Sequence, residues 1–168
     1  QMESQLPAAA GLFPRGITFE AVAYACTSGT SVIGAERVRE LVQSNCSAKA
    51  VTNPLTAAIA HLKSHGATRI GLVSPYTADI ANGLRTDFET AGFDVPIALS
   101  FGEETEANVV RIATSSSVAA VHQLLARAEV DAVFLSCTNL RTTEAILRLE
   151  RETDVPILSS NHSLAWHM

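Results

Sequence analysis

The sequence has few charged and few aromatic residues, and it has no cluster of basic ones. Only 17% of its 168 residues are Asp, Glu, Lys or Arg, the net charge is −5, and 5% are aromatic. The absence of a basic stripe argues against nucleic-acid binding. No apolar run approaches the roughly 18–20 residues of a membrane span, and no basic segment followed by an apolar one marks a secretory signal. We therefore expect a cytoplasmic protein that binds neither nucleic acid nor membranes.

Cysteine is also scarce, because the chain has three and no two of them form a C-x-x-C pair. This odd number without close spacing argues against a disulfide framework and against a zinc knuckle. His61 and His65 have the i, i+4 spacing of helical metal ligands, but no H-E-x-x-H pattern and no third ligand accompany them. The glycine-rich phosphate-binding motifs are missing as well. We expect reduced thiols, no metal site and no bound nucleotide.

The sequence does contain a regular alternation of short apolar runs and amphipathic stretches, and 47% of it is hydrophobic. The predicted strands are 18–24, 49–51, 69–73, 94–100, 132–136 and 156–158. The predicted helices are 1–13, 35–43, 54–64, 80–91, 117–128, 142–152 and one that begins at Asn161. This alternation predicts an α/β fold with parallel sheets and helices on both faces. Ligands of such folds bind at the carboxyl ends of the strands.

Two of the cysteines, Cys26 and Cys137, stand directly after predicted strands and before stretches predicted to be helical. A helix N-terminus and its free N–H groups favour a thiolate over a thiol. Two such thiols indicate a paired acid/base or nucleophilic site; the alternative is a pair of small buried hydrophobic residues. The polar residues that follow favour the functional interpretation, since successive N–H groups suit carboxylate oxygens. They are Thr27 and Ser28 after the first cysteine, and Thr138 and Asn139 after the second.

Three further polar positions are candidates for ligand contacts. Thr52 precedes Asn53-Pro54, which is either an anion-binding helix start or an ordinary N-cap. Tyr76 follows the 69–73 strand, so its phenol either serves a substrate or is simply partly buried. Asn108 carries an amide that can point at the same site. Cys46 has neither a strand nor a helix signal beside it, and we predict that it is a bystander.

Together these segments resemble the aspartate/glutamate racemase superfamily. The resemblance rests on residues 25–30 and 136–139, with 51–54 and 74–76 in the expected order, and it covers most of the chain from Ile17 onward. Residues 137–141 and 74–77 look most like the branch of maleate isomerases, arylmalonate decarboxylases and ectoine-utilization proteins. Asn139 replaces the histidine that usually follows the second Cys-Thr in amino-acid racemases, which weakens an amino-acid racemase interpretation.

The resemblance implies two Rossmann-like (flavodoxin-like) α/β lobes with parallel sheets and an active site in the cleft between them. We expect 1–52 with 159–168 to form the first lobe, incomplete at its N-terminus because no strand precedes the first helix, and 53–158 to form the second. The resemblance also implies that no metal or organic cofactor is used. It further implies that Cys26 and Cys137 are catalytic, and we expect substrate contacts from Thr27, Ser28, Thr52, Tyr76, Asn108, Thr138 and Asn139.

The leading hypothesis is therefore a cofactor-independent racemase or isomerase of a small carboxylate, in a homo-oligomer that we expect to be a dimer. In a racemase, one thiolate removes the α-proton while the opposite thiol protonates the other face. In a cis–trans isomerase, Cys26 adds to an alkene and leaves after the C–C bond has rotated. The alternatives are a decarboxylase of the arylmalonate type and a non-catalytic carboxylate-binding protein of the same fold.

Overall fold

The computed structural model describes residues 2–168, which form an α/β fold with parallel strands, as the alternation predicts. The elements are α1 (Met2–Ala10), β1 (Phe19–Ala23), α2 (Thr27–Ile33), α3 (Ala35–Gln43), β2 (Ala48–Thr52), α4 (Pro54–Ser64), β3 (Arg69–Ser74), α5 (Ala78–Thr90), β4 (Asp94–Ser100), α6 (Glu106–Val109), α7 (Thr114–Leu125), β5 (Ala132–Leu135), α8 (Thr143–Glu152), β6 (Ile157–Ser159) and α9 (Ser160–His167). Each strand and helix predicted with bounds has a counterpart within a few residues; α2 lies in the stretch after Cys26 that was predicted to be helical without bounds, and α6 was not predicted. Gln1, the start of the predicted first helix, lies outside the described residues.

The strands form two separate parallel sheets. β1 pairs with β2, and the larger sheet has the order β4-β3-β5-β6. Within it, β3 is hydrogen-bonded to both β4 and β5. Chain segments that leave neighbouring parallel strands therefore emerge at a common edge. The division into lobes at residues 52/53 and 158/159 stays a prediction; β1 and β2 lie in the first of these segments, and β3, β4 and β5 lie in the second.

The core of the larger sheet is packed on both faces. In the two central strands, Ile70, Leu72, Val73 and residues 132–135 are at most 2% exposed and apolar, which is typical of parallel strands buried on both sides. One face packs against α4 and α5 through Leu62 and Phe88. The other packs against α7 and α8 through Leu124 and Leu149. This rigid layer positions the segments that follow β3 and β5, where Tyr76 and the second cysteine lie.

Membrane-spanning helices and clusters of metal-binding side chains are both absent from the described part of the chain. In the stretch from Met2 to Met168, no helix is both long enough and apolar enough to cross a membrane. Within the same residues, no three His, Cys, Asp or Glu side chains come together in a way that could hold a metal ion.

Candidate active site

Cys26 is the N-cap of α2, at the carboxyl end of β1. Its backbone is extended (φ −139°, ψ 112°), and its sulfur accepts a hydrogen bond from Gly29 N at 3.3 Å. The Ser28 hydroxyl lies 3.8 Å from the same sulfur. The thiol is half-buried, so that small molecules can reach it. Donors at a helix start stabilise negative charge on sulfur, and the prediction that Cys26 stands between a strand and a helix is confirmed.

Tyr24, which the sequence analysis missed, places its phenol beside the same sulfur, because the phenol oxygen and the sulfur both flank Gly29. Burial, followed by the charge of the Cys26 sulfur and a hydrogen bond to it, raises the pKa of Tyr24 to about 12. The phenol is accordingly protonated at neutral pH and available as a donor. Gly29 makes room for it, because a Cβ at Gly29 would lie 2.3 Å from Tyr24 Oη and 3.0 Å from Cys26 Sγ. A usable signal was present: the chain has two tyrosines, and each closely follows a strand.

Cys137 also follows a strand, but it does not stand at the start of the helix that comes next. α8 begins only at Thr143, after a turn in which the buried Leu140 folds back into the core. The expectation that Cys137 lies beside the N-terminus of its own following helix is therefore wrong. Cys137 instead has φ 103°, and it is the non-glycine residue with positive φ in the described part of the chain. Its sulfur accepts a hydrogen bond from Asn139 N at 3.4 Å.

Tyr76 is the counterpart of Tyr24 at the second cysteine. It is buried, and its phenol contacts the Cys137 thiol and the Ser136 hydroxyl, whose Oγ lies 3.4 Å away. Burial raises the pKa of Tyr76, and the neighbouring sulfur adds to that effect. Burial likewise raises the pKa of Cys137, although hydrogen bonds from Asn139 N and from the Tyr76 phenol offset part of the rise. At neutral pH, Cys137 is consequently a neutral thiol and a potential proton donor.

Hydroxyl groups connect the segments that carry the two cysteines. Ser160, the first residue of α9, accepts a hydrogen bond from Cys137 N at 3.0 Å, and its oxygen lies 2.8 Å from Thr27 Oγ1. The Thr27 hydroxyl in turn hydrogen-bonds the Tyr76 phenol. Thr138 Oγ1 donates to Ala25 O at 2.9 Å. The segments after β1, β3, β5 and β6 therefore meet at one junction, which we call the cysteine junction.

The predicted substrate contacts fall into two groups. Ser28, Thr138 and Asn139 are partly exposed at the cysteine junction, whereas Thr27 is 1% exposed and its hydroxyl is already bonded within it. Thr52 is buried, with its hydroxyl 2.8 Å from His167 Nδ1. The Asn108 amide donates to Glu103 at 3.2 Å. No geometry here tests their roles toward a substrate, so all of these assignments stay predictions.

Replacing Ser160 with alanine tests whether the cysteine junction is held by its hydroxyls. The change leaves Cys137 N without its acceptor and removes the Ser160 partner of the buried Thr27 hydroxyl. We expect the free energy of unfolding to fall by about 1–3 kcal/mol, the usual cost of an unsatisfied buried polar group. Urea denaturation of the two proteins measures the difference. An unchanged midpoint and slope would show that the Ser160 hydroxyl contributes nothing to the junction.

Labelling by an alkylating reagent compares the thiols. Cys46 is 5% exposed in the core formed by α1, α3 and β1, away from any helix start. Cys26 is half-buried and has two donors beside its sulfur. We expect iodoacetamide to modify Cys26 at least about tenfold faster than Cys46 near neutral pH, as followed by peptide mass spectrometry. Equal rates in the folded protein would contradict an activated Cys26.

Comparison with known proteins shows that the chain is similar to two groups of enzymes. The model of the arylmalonate decarboxylase family matches residues 3–168. A maleate isomerase of Nocardia farcinica (strain IFM 10152) is 27% identical over 151 residues, which are 84% of this chain and 59% of that protein. The chain thus spans less than two thirds of the length of this curated relative.

Solved structures of both groups have the same fold. The maleate isomerase Iso of Pseudomonas putida S16, in a cysteine-to-alanine variant with maleate, is 20% identical with a TM-score of 0.88, covering 99% of this chain and 69% of that one. Unliganded arylmalonate decarboxylase is 20% identical with a TM-score of 0.81, covering 99% and 71%. A Nocardia farcinica maleate cis–trans isomerase variant with a covalently bound succinylcysteine intermediate is 24% identical with a TM-score of 0.83, covering 99% and 69%.

Proposed function

Because the chain belongs to the arylmalonate decarboxylase family, we propose that its protein rearranges a small carboxylate with two cysteines of unequal roles. Cys26 is the nucleophile or base, and Cys137 is the proton donor. The observation that carries this assignment is the difference between the two thiols. Cys26 is half-buried at a helix start with N–H and hydroxyl donors, whereas Cys137 is buried and burial raises its pKa.

Cis–trans isomerisation is the reaction that uses both thiols most directly. The Cys26 thiolate adds to one alkene carbon, and the electron pair moves onto the adjacent carbon and its carboxylate. Cys137 protonates that carbon, and the remaining single bond rotates. The Cys137 thiolate then takes the proton back, the C–S bond breaks, and the trans alkene leaves. Protons and electrons balance without a cofactor, and the Nocardia farcinica relative with its succinylcysteine is a precedent for the covalent step.

Donors at the cysteine junction are suited to the charges that this sequence creates. The Tyr76 phenol, protonated at neutral pH, stabilises the Cys137 thiolate after the proton has been delivered. Ser28 and Asn139 are partly exposed polar groups beside the two sulfurs, and they are our first candidates for carboxylate contacts. The Thr27 hydroxyl, which is bonded to Ser160, also contacts the Tyr76 phenol and helps to hold it in position.

Decarboxylation is the second candidate, and the family match favours it. Loss of carbon dioxide from a malonate leaves an enediolate, which a single neutral thiol can protonate. The buried Cys137 is suited to that step, and it recovers its proton from water afterwards. Racemisation of a carboxylate with an acidic α-proton needs both thiols, one on each face, and remains the third use of the same pair. The three reactions thus differ in what they require of Cys26.

Proton NMR in deuterium oxide distinguishes these functions. The protein is incubated with maleate, with a phenylmalonate and with a panel of α-amino acids, without any added metal or cofactor. Conversion of maleate to fumarate supports the isomerase, loss of one carboxylate supports the decarboxylase, and α-deuteration of an amino acid supports the racemase. Binding of a carboxylate without any of these changes would support the non-catalytic alternative and contradict the proposal.

A further inference from the structure

We propose that Tyr24 is a positioning residue that controls the reactivity of Cys26 by donating a hydrogen bond to its sulfur. The inference deepens the proposed function and rests on it for any effect on turnover, but not for its effect on the thiol. Tyr24 was not among the predicted site residues. It follows β1 directly, and the chain turns from it into the Cys26 cap within two residues.

The backbone holds Tyr24 and Cys26 in a fixed relation. Tyr24 N donates to Thr52 O at 2.9 Å, which extends the β1–β2 ladder by one residue. Cys26 N donates to Tyr24 O at 3.0 Å, and this tight turn places both side chains over the first turn of α2. The phenol is only partly buried, so its position depends on these main-chain bonds and on the space left for it.

Gly29 provides that space. A Cβ at this position would approach the Tyr24 oxygen to 2.3 Å and the Cys26 sulfur to 3.0 Å, so both atoms lie around the point that a side chain would occupy. The residue lies inside α2 with an ordinary helical backbone, so no left-handed conformation demands a glycine here. Close approach of a phenol and a thiol to the helix accounts for its presence instead.

The Tyr24 phenol has a single proton to donate, and two sulfur atoms near it can accept a hydrogen bond. Met2 Sδ lies 3.9 Å from Tyr24 Oη, but a thioether is a weak acceptor. A cysteine thiolate is a much stronger acceptor than a thioether, so the phenol donates its hydrogen bond to Cys26 when Cys26 is a thiolate. Tyr24 then acts together with Gly29 N and the Ser28 hydroxyl as a donor to the sulfur of the nucleophile.

The second cysteine has the same arrangement. Tyr76 reaches Cys137 as Tyr24 reaches Cys26, and these are the two tyrosines of the chain. The pairs differ in burial, since Tyr76 is 6% exposed and enclosed by hydroxyls. The matched pairs supply the control for the test, because each phenol can be removed without touching the other thiol.

The test is alkylation of Cys26 by iodoacetamide in the wild type, in Tyr24→Phe and in Tyr76→Phe, read by peptide mass spectrometry at pH 7 and again at pH 10. We expect Cys26 in Tyr24→Phe to be labelled about tenfold or more slowly than in the wild type at pH 7, because the variant lacks a hydrogen bond to a charged group. At pH 10 an ordinary thiol is ionised without a neighbouring donor, so the labelling rates of the wild type and Tyr24→Phe should differ by less than about twofold. Tyr76→Phe should leave the Cys26 rates unchanged.

Gly29→Ala provides a second route to the same effect, because its methyl group displaces the phenol while Tyr24 remains in the chain. It should slow labelling at pH 7 as Tyr24→Phe does. A Tyr24→Phe protein that labels as fast as the wild type at pH 7 overturns the proposal. The proposal is also overturned if Tyr24→Phe is slower than the wild type by the same factor at pH 7 and at pH 10, because such a pattern means that the substitution changes access of the reagent to the sulfur.

The labelling readout needs no substrate, so failure of this inference is distinguishable from failure of the proposed function. Slow labelling in Tyr24→Phe, in a protein that turns over no carboxylate, supports the role of Tyr24 and contradicts the enzyme. Full turnover combined with unchanged labelling supports the enzyme and contradicts the role of Tyr24.

Discussion

Replacing Cys26 with serine will lower the rate of cis–trans isomerisation by roughly a thousandfold or more. A serine hydroxyl is un-ionised at neutral pH and adds poorly to an alkene, so the covalent step is lost. Serine is a good N-cap, and it can accept the hydrogen bond from Gly29 N that Cys26 accepts now. The variant should therefore keep its thermal stability, and the loss should appear in kcat.

Cys46→Ala is the matched control for that experiment. It also removes one thiol, but from the apolar core between α1, α3 and β1, where Cys46 is buried. Its turnover should equal that of the wild type. A decarboxylase that relies on Cys137 alone would keep its rate in Cys26→Ser, so this variant also separates the two leading functions. Wild-type isomerisation by Cys26→Ser would show that thiol addition is not the mechanism.

Replacing Cys137 with serine will lower turnover by roughly a hundredfold to ten-thousandfold, the usual contribution of a positioned acid or base. The loss applies to isomerisation and to decarboxylation alike, because both need a proton at carbon. Labelling of Cys26 should be unchanged in this variant, since the two sulfurs have separate donors. Slowed labelling of Cys26 would contradict the division of roles between the two thiols.

The pH profile of the wild type provides an independent check on Cys137. A proton donor must be protonated, so activity falls as the pH rises through its pKa. Burial raises the pKa of Cys137, so the alkaline limb of kcat should lie above the roughly 8.5 of an ordinary cysteine. Tyr76→Phe removes a hydrogen bond that lowers this pKa, and the limb should move further upward. A limb below the ordinary value would contradict the assignment of Cys137 as the acid.

Much of the fold could be predicted because local signals and burial agree. The α4 helix begins after Asn53, whose side chain accepts a hydrogen bond from Thr56 N, and Pro54 occupies its first position, as the sequence predicts. Gly66, with φ 71°, ends the same segment. The central strands are recognisable because they are apolar throughout. The resemblance to the branch of maleate isomerases and arylmalonate decarboxylases is confirmed by the family match and the solved structures.

The details of the site could be predicted only in part, because they depend on contacts between distant segments. The N-cap role of Cys26 follows from its neighbours in the chain. The left-handed conformation of Cys137 does not, since it is held by Ser160, twenty-three positions further along. Tyr24 acts through the space above Gly29, which no periodicity reveals. The burial of Thr27 is likewise set by its partner Ser160.

The central claim, that two cysteines of unequal roles act on one small carboxylate, is tested most directly by following maleate in deuterium oxide with proton NMR. The wild type, Cys26→Ser and Cys137→Ser are compared at equal concentration, without added metal or cofactor. We predict that the wild type forms fumarate and that each single variant loses at least about 99% of that rate. Fumarate formation at the wild-type rate by both variants would contradict the account.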